Sequence, residues 1–469
     1  MNTSLAQLQS WLGLAAVAGD DAQLKISGLS TDSRAVTSGD LFVALRGERF
    51  DAHDFLDQVI VKGAAAVLVE RAPAGLSVPA LVVPDTRAAL GAIANRWRRQ
   101  FALPLIAVTG SNGKTTVKEM IAAILVAAFG VDKALATRGN FNNEIGLPLT
   151  LLLLDAGHRA AVVELGMNHP GEIAVLTAIA EPAVALVNNA QREHQEFMAS
   201  VAAVAAENGN VIRGLPASGI AVYPADDPYT DLWRSYAADK AGSITFGLSA
   251  NADVSCSYAA AANGFGSELA VTAMTVAGVQ KFVVQLAAAG EHNVRNALAA
   301  IACTLAIGVD IAAIKRGLES FAPVSGRLQR KLATVAGCRD ALVIDDTYNA
   351  NPDSVRAAID VLAQANAPRL LVLGDMGEVG NEGRKFHQEI GAYAQQRGIT
   401  QFFTLGDLAA DASAAFGPQA KHFIDIAALL AALDAVMTPD TTVLIKGSRF
   451  MKMERAVQHL VGTTSEGTH

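Results

Sequence analysis

Short apolar runs alternate with amphipathic stretches along almost the whole chain, the pattern of parallel sheets covered by helices. The run "LPLIAVTG" predicts a strand that closes at Val108. A helix is predicted to open at Thr116, because Val117, Met120, Ile121, Ile124, Leu125 and Ala128 recur on one helical face. Three blocks follow from the pattern. Residues 1–85 carry "STDSRAVTSGDLFVALRG", "AAAVLVE" and "PALVVPD"; residues 86–322 contain the strand just named; residues 323–469 carry "ALVIDD", "RLLVLGD", "QFFTLG" and "TTVLIKG", each followed by a helical pattern. Pro323 and Gly326 in "FAPVSGR" punctuate the end of a helical stretch and mark the hinge between the last two blocks. There is no short-period repeat, and the tail "GTTSEGTH" is expected to fray.

The 469 residues suffice for about three domains, and 51% of them are hydrophobic, enough for large cores. A formal net charge of −8 and a pI near 5.6 argue against a nucleic-acid-binding surface, which needs a basic face. Anionic small substrates stay open, since a few local Lys and Arg residues serve those. Cys256, Cys303 and Cys338 lie far apart, without zinc or redox spacing, and read as buried thiols of a reducing compartment. The start, "MNTSLAQLQSWLGLAAVAG", lacks the basic segment of a signal peptide. No uncharged apolar run, "LLLL" at 151–154 included, reaches membrane-spanning length. A cytoplasmic protein is expected, monomeric and without a membrane span.

The stretch "TGSNGKTT", residues 109–116, brings the first chemistry. The common phosphate loop has a glycine six residues before its lysine; here that position is Val108. Gly110 and Gly113 still let the backbone turn tightly and approach a ligand. The loop N–H groups and the helix N-terminus then face an anion. Lys114 reaches a terminal phosphate, and Thr115 offers its hydroxyl to Mg²⁺. A plain glycine turn capped by Ser or Thr is the alternative; the strand before and the helix after favour a nucleotide. ATP is the expected ligand, held by Thr109, Gly110, Ser111, Asn112, Gly113, Lys114, Thr115 and Thr116.

Phosphoryl transfer needs metal ligands at the ends of neighbouring strands, where ligands of open α/β sheets gather. Glu164 closes an apolar strand in "AAVVELGMNHPGEI", and His194 follows another in "VALVNNAQREH". A carboxylate in that position is costly to bury unless it meets a cation. Glu164 also reads as a surface or helix-capping carboxylate, and His194 as an ordinary loop histidine.

With these residues in view the chain resembles the Mur ligases, the ATP-dependent amide-forming family of peptidoglycan synthesis. "TGSNGKTT" is the family's own short phosphate loop, and "RGNFNNEIGLPLTLL", "VVELGMNHPGEI", "GEHNVRNALAA", "SGRLQ", "DDTYNANPDS", "LGDMGEVG" and "KGSR" follow in the family's order across essentially the whole length. The resemblance implies an α/β fold of three domains: a central P-loop-type parallel sheet, flanked by a small N-terminal α/β domain that holds the uridine end of the substrate and a C-terminal Rossmann-like domain that binds the incoming dipeptide and part of ATP. "DDTYNANPDSV" and "LGDMGEVG" are similar to the members that add D-alanyl-D-alanine to UDP-N-acetylmuramoyl-tripeptide. The Asp-Asn-Pro-Arg motif of members that add the third residue is absent.

The implied mechanism turns a carboxylate, a poor acylating group, into an acyl phosphate that the dipeptide amine attacks. Lys114, Glu164 and His194 are the expected catalytic residues. Thr115 and Glu164 are expected to hold one Mg²⁺ and His194 to help hold a second. Asn296 is expected at the adenine side, with Arg327 and Asp346 at the nucleotide, Asp346 at its ribose. Tyr348, Asn349 and Asn351 are expected to line the same crevice, Ser33 and Arg34 to meet the uridine diphosphate, and Asn142 and Asn143 to lie near the muramoyl-peptide. Asn351-Pro352 is equally a helix cap and first helical residue, and Lys446 reads either as a carboxylate partner or as a solvated strand end.

One segment departs from the family. Most members place a lysine, carbamylated to support the second Mg²⁺, where this chain has Asn208 in "VAAVAAENGNVI". No lysine occurs between Lys133 and Lys240, so no carbamate forms in this segment. Glu207 is the expected substitute, although neighbours on a helix point about 100° apart; the alternative is that water and Asn208 complete the shell. Two other functions compete: a ligase of the same fold adding another amino acid or acting on folate, and a nucleotide-dependent interaction module without ligation activity. Closure of the third block onto the central one with ATP is expected in the ligase.

Overall fold

The computed structural model describes residues 1–15, 23–47, 49–193, 196–261 and 265–462. Among the described residues three sheets organise the chain, and Thr3–Ser4 pairs with Lys25–Ile26 in a separate two-stranded ribbon. The first sheet is parallel and runs Gly28–Ser30, Asp40–Val43, Ala66–Val69, Ala80–Val82.

The central sheet has nine strands. Its parallel part runs Ala134–Ala136, Ala160–Glu164, Leu105–Thr109, Val184–Val187, Ile220–Pro224, Gly242–Gly247, Val254–Ala260. Ser267–Thr275 and Gly278–Leu286 extend it as an antiparallel hairpin. The strand Leu105–Thr109 is buried on both faces: Leu105 and Ala107 enter one core, Ile106 and Val108 the other. Alternate residues of Ala160–Glu164 and Val184–Val187 divide in the same way. Continuous apolar strands with both faces covered are what the sequence pattern required. The helix Lys114–Phe129 buries Val117, Met120, Ile121, Ile124 and Leu125, the stripe read from sequence. It opens at Lys114, two residues earlier than that stripe suggested, because Gly113 turns the chain at φ 80° immediately before it.

The helix Thr86–Arg98 ties the first two sheets together. Leu90, Ile93, Ala94 and Trp97 share a core with Leu41 and Leu68 of the first sheet and with Ala107 and Val163 of the second. Residues 321–328 between the helix Ile311–Ser320 and the strand Gln329–Leu332 are neither helix nor strand, as the Pro and Gly there indicated.

The third sheet runs Gln329–Leu332, Leu342–Asp346, Thr442–Lys446, Arg369–Gly374, Gln401–Leu405, Ala420–Phe423, parallel except for its first strand. All three cysteines are buried and unpaired, and burial raises each thiol's pKa, which keeps them as inert apolar side chains. Among the described residues no helix is long and apolar enough to cross a membrane.

Candidate active site

The C-terminal ends of the central strands face the third sheet across a cavity of about 1050 Å³. The phosphate loop forms one wall. Gly113 is obligatory: a Cβ there would stand 2.5 Å from Asn296 Oδ1, at a positive φ. Lys114 Nζ donates to the carbonyls of Gly110 (2.6 Å) and Ser111 (3.2 Å) and pairs with Glu193 Oε1 at 2.7 Å. Val108, where a longer loop has glycine, is fully buried in its strand.

The missing turn of loop is replaced by a brace from the adjacent strand. Asn188 and Asn189 both donate to the Asn112 carbonyl, at 2.8 and 2.9 Å, and Asn189 Oδ1 accepts from the Asn112 N–H at 2.9 Å. The Gln191 N–H donates to Ser111 Oγ at 2.9 Å, and Asn112 Nδ2 to Gln191 Oε1 at 2.6 Å. Sequence reading missed Asn188, Asn189, Gln191 and Glu193. Their only signal is position: they follow Val184–Val187, which pairs with Leu105–Thr109.

Glu164 ends its strand buried. Oε1 accepts from Asn142 Nδ2 at 2.8 Å, while Oε2 is buried with no partner among the described residues. A buried carboxylate oxygen left bare is expensive. Asn142 thus orients the carboxylate, and Asn143 Oδ1 accepts from the Gly146 N–H at 2.8 Å; both line the cavity.

The third domain supplies the opposite wall. Arg327 Nη2 donates to Thr115 Oγ1 at 2.8 Å, and its guanidinium lies 4.2 Å over the Tyr348 ring. Asp346 lines the cavity and is anchored inside its own domain: Oδ2 meets Lys446 Nζ at 2.6 Å and Oδ1 accepts from the Leu328 N–H at 3.1 Å. Lys446, left open by sequence, therefore has a carboxylate partner, and it also donates to the Asn349 carbonyl at 2.8 Å. Asn351 lines the cavity and is the helix cap foreseen for it. It forms a capping box with Ser354 on the helix Pro352–Ala363, and its Nδ2 donates to Asn112 Oδ1 at 2.8 Å.

Asn296 lines the cavity, while Thr109, Ser33 and Arg34 fall elsewhere. Asn296 is packed beneath the phosphate loop, its amide used by Asn188 (3.0 Å) and Asn293 (3.2 Å). Thr109 turns its hydroxyl to Asn208 Oδ1 at 2.7 Å, away from the cavity lining. Ser33 and Arg34 lie outside that lining too; Arg34 is exposed and paired with Asp32 at 2.7 Å, which lowers the Asp32 pKa to about 2.

Glu207 does not point at the cavity. Its Oε1 accepts from the Ile173 N–H at 3.0 Å, in the first turn of the helix Glu172–Ala180, and Oε2 accepts from Asn210 Nδ2 at 2.9 Å. The expectation of a metal ligand there gives way to a helix-capping carboxylate, because a helix N-terminus offers free N–H groups to any nearby anion. Asn208 is fully buried, with Nδ2 unpartnered among the described residues. His194 lies outside the described residues.

Comparison with known proteins agrees with this arrangement. Family models described as "Mur ligase family, catalytic domain", "Mur ligase middle domain" and "Mur ligase, glutamate ligase domain" match residues 25–98, 108–304 and 326–449. The chain is 40% identical to UDP-N-acetylmuramoyl-tripeptide–D-alanyl-D-alanine ligase of Escherichia coli K12, covering 94% of each chain, and 35% identical to the Bacillus subtilis enzyme of that name, also over 94% of each. The crystal structure of MurF from Acinetobacter baumannii superposes with a TM-score of 0.89 at 34% identity over 99% of each chain. That of Thermotoga maritima MurF in complex with ADP does so at 0.80 and 27%, over 92% of this chain and 96% of the other. With matched segments in all three sheets and relatives alike over nearly the full length, the chain belongs to the Mur ligase family.

Proposed function

We propose that this chain joins D-alanyl-D-alanine to UDP-N-acetylmuramoyl-tripeptide, using ATP and releasing ADP and phosphate, to give the pentapeptide precursor of peptidoglycan. The observation that carries the reading is the meeting of Lys114, Thr115 and the bare Glu164 oxygen with Arg327, brought by a different domain, around one cavity. An interaction module without ligation chemistry has no need of that crossing.

The first step joins two anions. A carboxylate oxygen of the tripeptide attacks the γ-phosphorus, the bond to the β-phosphate oxygen breaks, and ADP leaves. Lys114 exchanges Glu193 and the two loop carbonyls for phosphoryl oxygens, and the amides of Gly113 to Thr116 face the same charge. Glu164, through its unpartnered oxygen, and the Thr115 hydroxyl fit Mg²⁺, a hard cation that takes oxygen ligands and would neutralise charge between the β- and γ-phosphates. His194 stays the proposed ligand of a second Mg²⁺. Arg327 stabilises the transferring group from the opposite side. In the second step the dipeptide amine attacks the acyl carbon and phosphate departs, taking one oxygen of the former carboxylate with it.

Residues 1–85, with Ser33 and Arg34, are the proposed seat of the uridine diphosphate, residues 86–322 of ATP, and residues 323–469, with Tyr348 and Asn349, of the dipeptide. Phosphate release tests the reading. With ATP and UDP-N-acetylmuramoyl-tripeptide, D-alanyl-D-alanine should release phosphate in step with amide formation and meso-diaminopimelate should not. Phosphate release that needs no muramoyl-peptide would sink it.

A further inference from the structure

Asn188, Asn189 and Gln191 lean on the phosphate loop, and Glu193 meets Lys114, but Arg192 between them turns to the third domain. Its backbone N–H donates to Asp353 Oδ2 at 2.9 Å. Its guanidinium grips both oxygens of Asp353, with Nη2 at 2.6 Å from Oδ1 and Nε at 3.2 Å from Oδ2, and both oxygens of Glu389, with Nη1 at 2.8 Å and Nη2 at 3.1 Å. The ring of Phe386 lies under it at 5.3 Å. Arg356 holds Glu389 from the far side at 2.9 Å and stacks 4.1 Å over Tyr393. Asp353 is in the first turn of Pro352–Ala363; Phe386, Glu389 and Tyr393 are on the helix Gly383–Gln396.

An isolated surface ion pair contributes little; bidentate geometry and a network are the exceptions. This one has both, and it spans two domains. The helix Pro352–Ala363 is thereby tied to the central domain twice within its first turn, by Asn351 to Asn112 and by Asp353 to Arg192. Arg327 reaches Thr115 from the same domain. The Arg192 hydrogen bond holds the Glu389 carboxyl below the usual range, which keeps that partner charged at neutral pH.

We propose that Arg192 is a positioning residue for ligation: by clamping Asp353 and Glu389 it holds the third domain closed over the phosphate loop and so sets Arg327 on Thr115. The clamp acts on closure, not on the reacting atoms, and its catalytic consequence rests on the ligase reading above.

The test compares full-length wild type with Arg192→Gln, Arg192→Lys and the double variant Asp353→Asn/Glu389→Gln, each loaded with a non-hydrolysable ATP analogue. X-ray scattering should show a larger radius of gyration for Arg192→Gln and for the double variant than for wild type. Turnover should fall by about tenfold to a hundredfold with the KM for UDP-N-acetylmuramoyl-tripeptide unchanged. Arg192→Lys should recover part of both, since an ammonium cannot fork two carboxylates. Raising salt from about 0.05 to 0.5 M should open and slow wild type, a readout that needs no variant to fold well, and should leave Arg192→Gln unaffected. Scattering profiles that coincide, or turnover of a folded Arg192→Gln within about twofold of wild type, would overturn the proposal. Should no protein here use D-alanyl-D-alanine, the ligase reading fails while the scattering still decides the clamp.

Discussion

Two lysine–carboxylate pairs of nearly equal length sit on opposite walls of the cavity and have opposite meanings. Lys114 meets Glu193 at 2.7 Å, and Lys446 meets Asp346 at 2.6 Å. Lys446 ends a central strand of the third sheet, its side chain 3% exposed, and the pair is held further by the Asn349 carbonyl and the Leu328 N–H. All of these contacts lie within one domain and hold its strands together, so the pair is a rivet. Lys114 sits at a helix N-terminus, where the backbone favours an anion, and its other partners are two carbonyls of the glycine loop. Phosphoryl oxygens can replace all three. The same ion pair is thus a fixture where its surroundings are complete and a placeholder where they are not.

The comparison can be broken most directly at Lys114. Lys114→Ala should lower turnover by about a hundredfold to a thousandfold or more while leaving thermal unfolding near that of wild type. The third-domain pair should behave in reverse. Lys446→Met leaves a buried carboxylate uncompensated and should cost roughly 3–5 kcal/mol, read as faster hydrogen exchange along Thr442–Lys446. Adding Asp346→Asn should recover most of that loss; a single variant no worse than the double would show that the pair is no rivet. Glu193→Gln sharpens the contrast with a smaller effect. Without the competing carboxylate ATP should bind a few-fold tighter by calorimetry, and unchanged or weaker binding would argue against a placeholder.

The smallest effect is at a buried group that has backbone partners instead of an ion pair. His387 accepts from the Met376 N–H at 3.0 Å and its Nδ1 lies 2.7 Å from the Gly383 carbonyl, and burial lowers its pKa. The unfolded chain takes up a proton near pH 6.5, the folded one only at lower pH. The stability it contributes is therefore complete above about pH 6.5 and is lost as pH falls through the depressed folded value. His387→Asn should flatten that part of the stability–pH curve.

Much of the site was legible because its signals are local. Glu164 stood out as a charge closing an apolar run, Gly113 and Lys114 as a loop between strand and helix, and Asn351-Pro352 as a cap. What failed depended on which strands lie side by side. The brace of Asn188, Asn189 and Gln191 is visible only once Val184–Val187 is paired with Leu105–Thr109. Glu207 was misread for the same kind of reason: its partner, the first turn of Glu172–Ala180, lies 34 residues away in sequence, and only packing brings it close. Arg192 gave no local signal at all, since its partners belong to another domain.

The central claim is that the peptide carboxylate is activated by taking the γ-phosphoryl group. UDP-N-acetylmuramoyl-tripeptide labelled with ¹⁸O in the carboxylate that forms the new amide tests it most directly. Mass spectrometry of the phosphate released during ligation of D-alanyl-D-alanine should find one labelled oxygen per phosphate. Phosphate free of label, with amide formed at the normal rate, would contradict it.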